Sequence, residues 1–224
     1  NDNITDMIIC EDTYLCCVTE AHWIGVFNTT DGTCLWQRRL QEIVDDPSID
    51  NDYAYDAIED ITYDTGTGNL IMTFRGHIIC IDLKSGASVW TRELCDYGDI
   101  AYCLQGDLLY AFPYGKMISN NLIYCYSIAD GVDKGVYPMN TSSIVTDGSE
   151  GACFVYAEIH VDEEHNAVIA ATLHDEESTS KDDSEHCVVC AYNFQNMTTS
   201  ILERTDDMLG FLPVGEDYYL ASAD

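Results

Sequence analysis

The chain has 224 residues, with 40 Asp and Glu against 9 Lys and Arg and a formal net charge of −31. So few cations cannot build a basic face, which excludes sequence-independent nucleic-acid binding and adsorption to anionic lipid. Disorder is excluded as well, because Leu, Ile, Val and Phe total 54 residues, and 15 Tyr and 3 Trp add aromatic bulk.

Taken in chain order, the predicted elements are short strands separated by Asp, Asn, Gly and Ser. Asp6–Cys10 and Tyr14–Thr19 come first. Ile24–Asn28 then leads through Asp31 and Gly32 to a second strand holding Trp36. The one short helical candidate, Leu40–Val44, runs into Asp45, Asp46 and Pro47. Ala57–Tyr63 and Asn69–Phe74 follow, and then Ile79–Leu83, a turn at Ser85 and Gly86, and a strand with Trp90. Ile100–Cys103, Asp107–Pro113 and Leu122–Ile128 precede a third turn at Asp130 and Gly131, after which no Trp appears. Gly151–Val161, Asn166–Leu173 and Cys187–Asn196 make a fourth copy without the Gly. Met208–Val214 and Asp217–Ala221 open a fifth.

This is an internal repeat. Gly32 and Gly86 are 54 residues apart, as are Trp36 and Trp90, and each Trp stands four residues after its Gly. The Asp-Gly step is expected to supply the positive-φ positions of a tight hairpin turn. The Trp is expected to be an apolar plate packing one sheet on the next. Four strands per repeat at 40–60-residue spacing predict an all-β fold, a β-propeller of four-stranded antiparallel blades. About four and a half blades are visible, read as part of a ring of six to eight. The expected organisation is a single propeller domain over residues 1–224, a piece of a longer polypeptide. There is no run of about 18 apolar residues, so no spanning helix is expected. Two acidic stretches, Asp45–Asp60 and Asp175–His186, interrupt the repeat and are expected to be solvated loops.

Four N-glycosylation sequons begin at Asn3, Asn28, Asn140 and Asn196, and they favour a secretory, oxidising compartment. Eleven Cys is an odd number. Many lie inside apolar strands, such as Cys80 and Cys125, where they serve as small core residues or pair as disulfides. Cys187 and Cys190 have the spacing of half a zinc site, but i and i+3 of a strand face opposite ways. His160 and His165 flank three acids at a predicted hairpin tip. Neither acidic stretch has the EF-hand spacing, and Gly66 and Gly68 suit a hairpin better than a dinucleotide loop. No catalytic residue, cofactor or metal is assigned.

The pattern of an apolar strand, Asp/Ser-Gly and Trp four residues on resembles the quinoprotein-like propeller repeat of the pyrroloquinoline-quinone type. Within it, Val26, Asn28, Gly32, Leu35 and Trp36, the Trp-less copy at Tyr124–Gly131, and Ser149–Cys153 are similar to the luminal propellers of the subunit 1 family of the endoplasmic reticulum membrane protein complex. That resemblance implies a non-enzymatic scaffold in the endoplasmic reticulum lumen. Its partners would be other protein subunits of a membrane complex, with no direct membrane contact by this segment. Dehydrogenases of the wider family use an adjacent-cysteine disulfide against the quinone, which brings Cys16 and Cys17 into question. They sit mid-strand, where alternation points the two side chains to opposite faces. Two alternatives follow from the family: a quinone-dependent alcohol dehydrogenase, and the luminal domain of an unfolded-protein-sensing kinase. The acidic stretches would suit a basic protein partner steered by charge.

Overall fold

A computed structural model of the chain contains eighteen strands and one four-residue helix among the described residues. Those are all residues except 1, 45–57, 59, 97, 116–120, 141–151, 163, 165, 176–185, 206–208, 215–216 and 223–224; for 152–153, 174–175, 186, 209–214 and 217–222 the backbone alone is described.

The strands group in sequence order into four four-stranded sheets and one two-stranded sheet. The first sheet is β1 (Ile4–Cys10), β2 (Tyr14–Thr19), β3 (Trp23–Asn28) and β4 (Cys34–Arg39), followed by helix α1 (Leu40–Ile43). The second is β5 (Asp60–Asp64), β6 (Asn69–Phe74), β7 (His77–Asp82) and β8 (Ser88–Glu93). The third is β9 (Asp99–Gln105), β10 (Leu108–Tyr114), β11 (Leu122–Ser127) and β12 (Asp133–Pro138). The fourth is β13 (Ala152–Val161), β14 (Asn166–Asp175), β15 (His186–Asn193) and β16 (Thr198–Thr205). Strands β17 (Leu209–Val214) and β18 (Asp217–Ser222) pair as a hairpin. Each sheet is a meander in which neighbours in sequence are neighbours in space, and this is the blade predicted from the repeat.

Two compact units result. One comprises Asn1–Asp99 with Ile128–Val132; the other comprises Ile100–Ser127 with Asp133–Asp224. In the first, Cys16, Val18, Ile24 and Val26 of one sheet and Leu70, Met72, Ile79 and Ile81 of the next join a single core. The period-2 alternation of β2 and β3 selects this set, because residues two apart share a face. Strand β6 is buried along its whole length, with the apolar run Leu70–Met72 flanked by buried Asn69 and Thr73. Each fully buried Leu, Ile or Val contributes about 1.5–3 kcal/mol. The second unit has its own core, in which Tyr110, Phe112, Ile123 and Cys125 join Ile159, Ile169, Val188 and Tyr192.

The hairpin turns differ from the two-residue form expected of Asp-Gly. Gly32 N–H donates to the Asn28 carbonyl at 2.9 Å and Asn28 N–H to the Thr33 carbonyl at 2.8 Å. Gly86 and Asp82 repeat both bonds, with Asp82 N–H on Ala87. These are four-residue loops in which only the Gly has positive φ, at 73°, 66° and 65° for Gly32, Gly86 and Gly131. The side chain at the loop entry, not the Asp of Asp-Gly, holds the start of the loop. Asn28 Oδ1 accepts from Thr30 N–H at 2.8 Å, and Asp82 Oδ1 from Ser85 N–H at 2.7 Å. The fourth copy keeps the geometry without Gly, because Met197 takes the same position at φ 55°.

The acidic stretches at 45–60 and 175–186 lie almost wholly outside the described residues, as do Thr141 and Ser142 of the third sequon and His165.

Candidate interaction surface

The repeat's Trp and Gly meet each other across successive copies. Trp36, 8% exposed, donates its indole N–H to the Leu83 carbonyl at 2.7 Å; Trp90, 6% exposed, donates to the Ile128 carbonyl at 2.8 Å. Leu83 and Ile128 occupy the same place in their turns, three residues before Gly86 and Gly131. Each ring then lies on that glycine. A Cβ on Gly86 would stand 2.6 Å from Trp36, and one on Gly131 would stand 2.7 Å from Trp90. Glycine is thus required twice, for positive φ and for the approach of the ring.

A one-residue bulge aims each indole. The β3–β4 register shifts between Val26 and Phe27, skipping Leu35, and the β7–β8 register shifts between Cys80 and Ile81, skipping Val89. The skipped residues are left exposed, and the Trp that follows turns inward. Three further contacts carry no clear mark in the sequence. Arg38 Nη1 donates to the Gly86 carbonyl at 3.1 Å. Tyr63 Oη donates to Glu11 Oε1 at 3.0 Å, and Lys84 Nζ lies 3.2 Å from Glu11 Oε2. The Tyr63 hydrogen bond, and then Lys84, holds the Glu11 carboxyl below its ordinary range. Arg38 did carry a signal, since Arg follows Trp by two residues in both Trp36–Arg38 and Trp90–Arg92.

In the third copy Gly135 stands at the Trp position and Tyr137 folds over it, with the phenol oxygen 2.7 Å from where a Cβ would be. Tyr137 packs edge-on against Phe194 at 4.7 Å, and Phe194 also meets Tyr110 and Tyr192, each at 5.1 Å. Phe194 is the fourth copy's equivalent of Leu83 and Ile128, so an aromatic cluster stands where an indole would dock.

The buried thiols serve packing. Cys16 is fully buried with Val18, while its neighbour Cys17 faces the other way and is half-buried. Burial pushes the Cys16 thiol well up and the Cys17 thiol up. A bridge between them would need side chains that leave opposite faces of β2. Cys190 lies with Val188 and Tyr192 in the main core, whereas Val189 belongs to a separate cluster with Val168 and Ala170 on the other face. Cys187 is on that other face, its Sγ 3.3 Å from Thr172 Oγ1. The Cys187 and Cys190 thiols therefore diverge and do not converge on one ion. His160 sits on β13, two residues from Glu158, which accepts a very short hydrogen bond from Tyr156.

Of the sequon asparagines, Asn3, Asn140 and Asn196 are exposed and Asn28 is half-buried at a turn entry. Asn196 Oδ1 accepts from Thr198 N–H at 3.2 Å and from the Thr198 hydroxyl, which places the sequon's own Asn and Thr in contact at an exposed turn.

No family model and no curated protein matches the chain. Solved structures do match, on fold alone. A europium-containing methanol dehydrogenase is 12% identical with a TM-score of 0.57, covering 96% of this chain and 46% of its own. BamB from Moraxella catarrhalis is 15% identical with a TM-score of 0.50, covering 96% and 66%. The WD40 repeats of RRP9 are 9% identical with a TM-score of 0.51, covering 89% and 62%. The chain thus spans from under half to about two thirds of the length of these structures, and its fold is that of a β-propeller.

Proposed function

We propose that the chain is the protein-binding propeller segment of a scaffold in the endoplasmic reticulum lumen and not an enzyme. Its partners are other subunits of a membrane complex, a reading that rests on the repeat's resemblance to the subunit 1 family. One observation carries the reading. The chemically distinctive residues of the repeat, namely Trp36, Trp90, Gly86, Gly131, Cys16, Cys80 and Cys190, are committed to packing between and within sheets. Beside the exposed apolar side chains of Ile4, Met7 and Ile9, the surface is rich in carboxylates and hydroxyls, suited to a basic protein partner met through blade loops. The exposed Asn3, Asn140 and Asn196, with Asn28, are the glycan carriers a luminal location calls for.

The test is purification of the natural protein from its membranes under mild detergent. The scaffold reading expects membrane-protein subunits in constant ratio and a glycosidase-sensitive mass. Elution alone, with a quinone absorption band and dye-linked alcohol oxidation, would replace it with the dehydrogenase alternative. A kinase domain downstream would replace it with the stress sensor.

A further inference from the structure

The four described turns of the repeat share one side-chain bond. In each, the residue before the positive-φ position offers its side-chain oxygen to the backbone N–H two residues on. Asp31 accepts from Thr33 N–H at 2.9 Å, Ser85 from Ala87 N–H at 3.3 Å, Asp130 from Val132 N–H at 3.1 Å and Asn196 from Thr198 N–H at 3.2 Å. At Asp31 and Asn196 the hydroxyl of that following Thr donates to the same oxygen. The turn therefore needs one acceptor oxygen here, and Asp, Ser or Asn can supply it.

Asn196 differs from the other three in carrying an amide nitrogen that this bond does not use. Its Oδ1 takes both Thr198 bonds, and among the described residues its Nδ2 has no hydrogen-bond partner. Gln195, Asn196, Met197 and Thr198 are all exposed, so there is room around that amide. The Asn28 sequon closes differently. Asn28 is a loop entry and is half-buried, with its backbone bonded to Gly32 and Thr33. The next residue, Thr29, is tied to the Thr13 carbonyl through its N–H at 2.7 Å and its hydroxyl at 2.9 Å. At Asn3 the Nδ2 is already a donor, to Glu20 Oε2 at 3.0 Å.

We propose that the turn of the fourth copy is a built glycan seat, which makes Asn196 the main carrier and leaves Asn28 sparsely modified. Occupancy rests on the luminal reading, because the donor is an oligosaccharide held on a polyprenyl diphosphate. Transfer forms a bond from Asn196 Nδ2 to the anomeric carbon of N-acetylglucosamine. It breaks that carbon's bond to the diphosphate, which leaves, and the amide gives up one proton. The product keeps Oδ1, so both Thr198 bonds survive and the turn needs no rearrangement. Hairpins close in about 1–10 μs while chains grow by about 5–20 residues each second, so the closed turn is sampled throughout the time a sequon is within reach of the transferring enzyme. A turn that closes with its amide uncommitted stays a substrate, and one that closes against a neighbouring loop is withdrawn. The contrast lies in the closed turn, since both sequons read Asn-x-Thr.

The test uses the natural full-length protein from its membranes. Enzymatic release of N-glycans in heavy-oxygen water converts each occupied Asn to labelled Asp, and peptide mass reads the fraction at each sequon. The Asn196 peptide should be labelled at least threefold more than the Asn28 peptide. A smaller ratio, with label at any sequon, overturns the glycan seat and leaves the luminal reading standing. Label at none of the four overturns both. Asn196→Asp gives a second measurement, since Asp31 makes the same two bonds with a carboxylate and the variant is expected to fold. It should lose the mass of one glycan and melt together with the enzymatically deglycosylated protein. An unchanged glycan mass in that variant refutes the seat.

Discussion

Trp36 and Trp90 each combine burial with a single directional bond, so their substitution separates the two contributions. Trp36→Phe keeps a ring on Gly86 but removes the N–H, leaving the carbonyl of fully buried Leu83 without its indole donor. An unsatisfied buried acceptor costs about 1–3 kcal/mol, and Trp90→Phe should lose a similar amount at Ile128. Trp23→Phe should lose only about 0.5–1 kcal/mol, since that half-buried ring chiefly faces the Arg39 guanidinium. Urea midpoints of the three variants give the ranking; equal losses at all three sites would show that the hydrogen bonds are unimportant. The buried thiols set a limit on the alkaline side. Burial raises Cys10 and Cys190 from 9.0 to about 11, and Cys80 from 9.0 to about 12. Above pH 9 the unfolded chain sheds these protons while the folded chain retains them. Their contribution is thus complete below pH 9 and is lost as pH rises through 11 to 12. Melting temperatures should hold to about pH 8.5 and then fall. Cys80→Ala combined with Cys190→Ala should flatten the first part of that fall, between 9.0 and the ordinary tyrosine value of 10.0.

At the level of the element, the turns explain what the repeat conserves within this chain and where it relaxes. Gly86 and Gly131 lie under indoles, and Met197 has replaced glycine in a copy whose predecessor has Gly135 in place of Trp. Met197 still bears the cost of left-handed backbone, about 1–2 kcal/mol for an L-residue. Met197→Gly should therefore stabilise by up to about 1 kcal/mol, the looser unfolded chain taking back part of the gain. Gly131→Met should be strongly destabilising, because its side chain would enter the Trp90 ring. Denaturant midpoints check both signs, and a loss on Met197→Gly would mean that its exposed side chain makes contacts worth more than the backbone strain. The same turns show what sequence could convey. Strands were legible because apolar alternation has a period of two: Tyr14–Thr19 and Asn69–Phe74 have both predicted ends, and the other strands differ from the predicted bounds by at most three residues at either end. Trp as an inter-sheet plate was legible from its size and repetition. Its seat was not, because the Gly it rests on belongs to the following copy, and nothing local marks that pairing. Nor was Met197 legible, since the licence for a side chain there is an absence at Gly135, 62 positions earlier. The loop entries at Asn28 and Asp82 were not legible because Asp-Gly is the louder turn signal, although side-chain bonds form at the entry as well as at Asp31 and Asp130.

For the whole molecule the governing quantity is charge. With 40 acidic and 9 basic residues, pairing can neutralise few carboxylates, and the Lys84–Glu11 pair is exposed enough to contribute little. Net repulsion in a compact chain opposes folding, and it is screened over about 10 Å at 0.1 M salt. Melting temperature should therefore climb as NaCl rises from about 10 to 300 mM and level off as the Debye length falls below the spacing of surface carboxylates. Mild acid acts in the same direction by protonating ordinary carboxylates, but three groups resist it. Thr33 holds Asp31 low, Ser85 holds Asp82 low, and Tyr63 and Lys84 hold Glu11 low. A carboxyl depressed in the folded state contributes stability above its unfolded value and loses it as pH falls through the folded one. Asp31 holds its own turn, and Asp82 and Glu11 hold the Gly86 turn and the Tyr63–Lys84 contact that join successive sheets, so their protonation loosens the repeat. Relief of repulsion should win from pH 7 to about 5, and loss of the turn bonds should win below about 4, giving a maximum near pH 5 at low salt. Added salt should lift the pH 7 limb more than the pH 5 limb and flatten the maximum. A melting temperature that is indifferent to salt and declines steadily from pH 7 would instead place the stability of this chain in its local bonds, with the −31 charge a passenger on the surface.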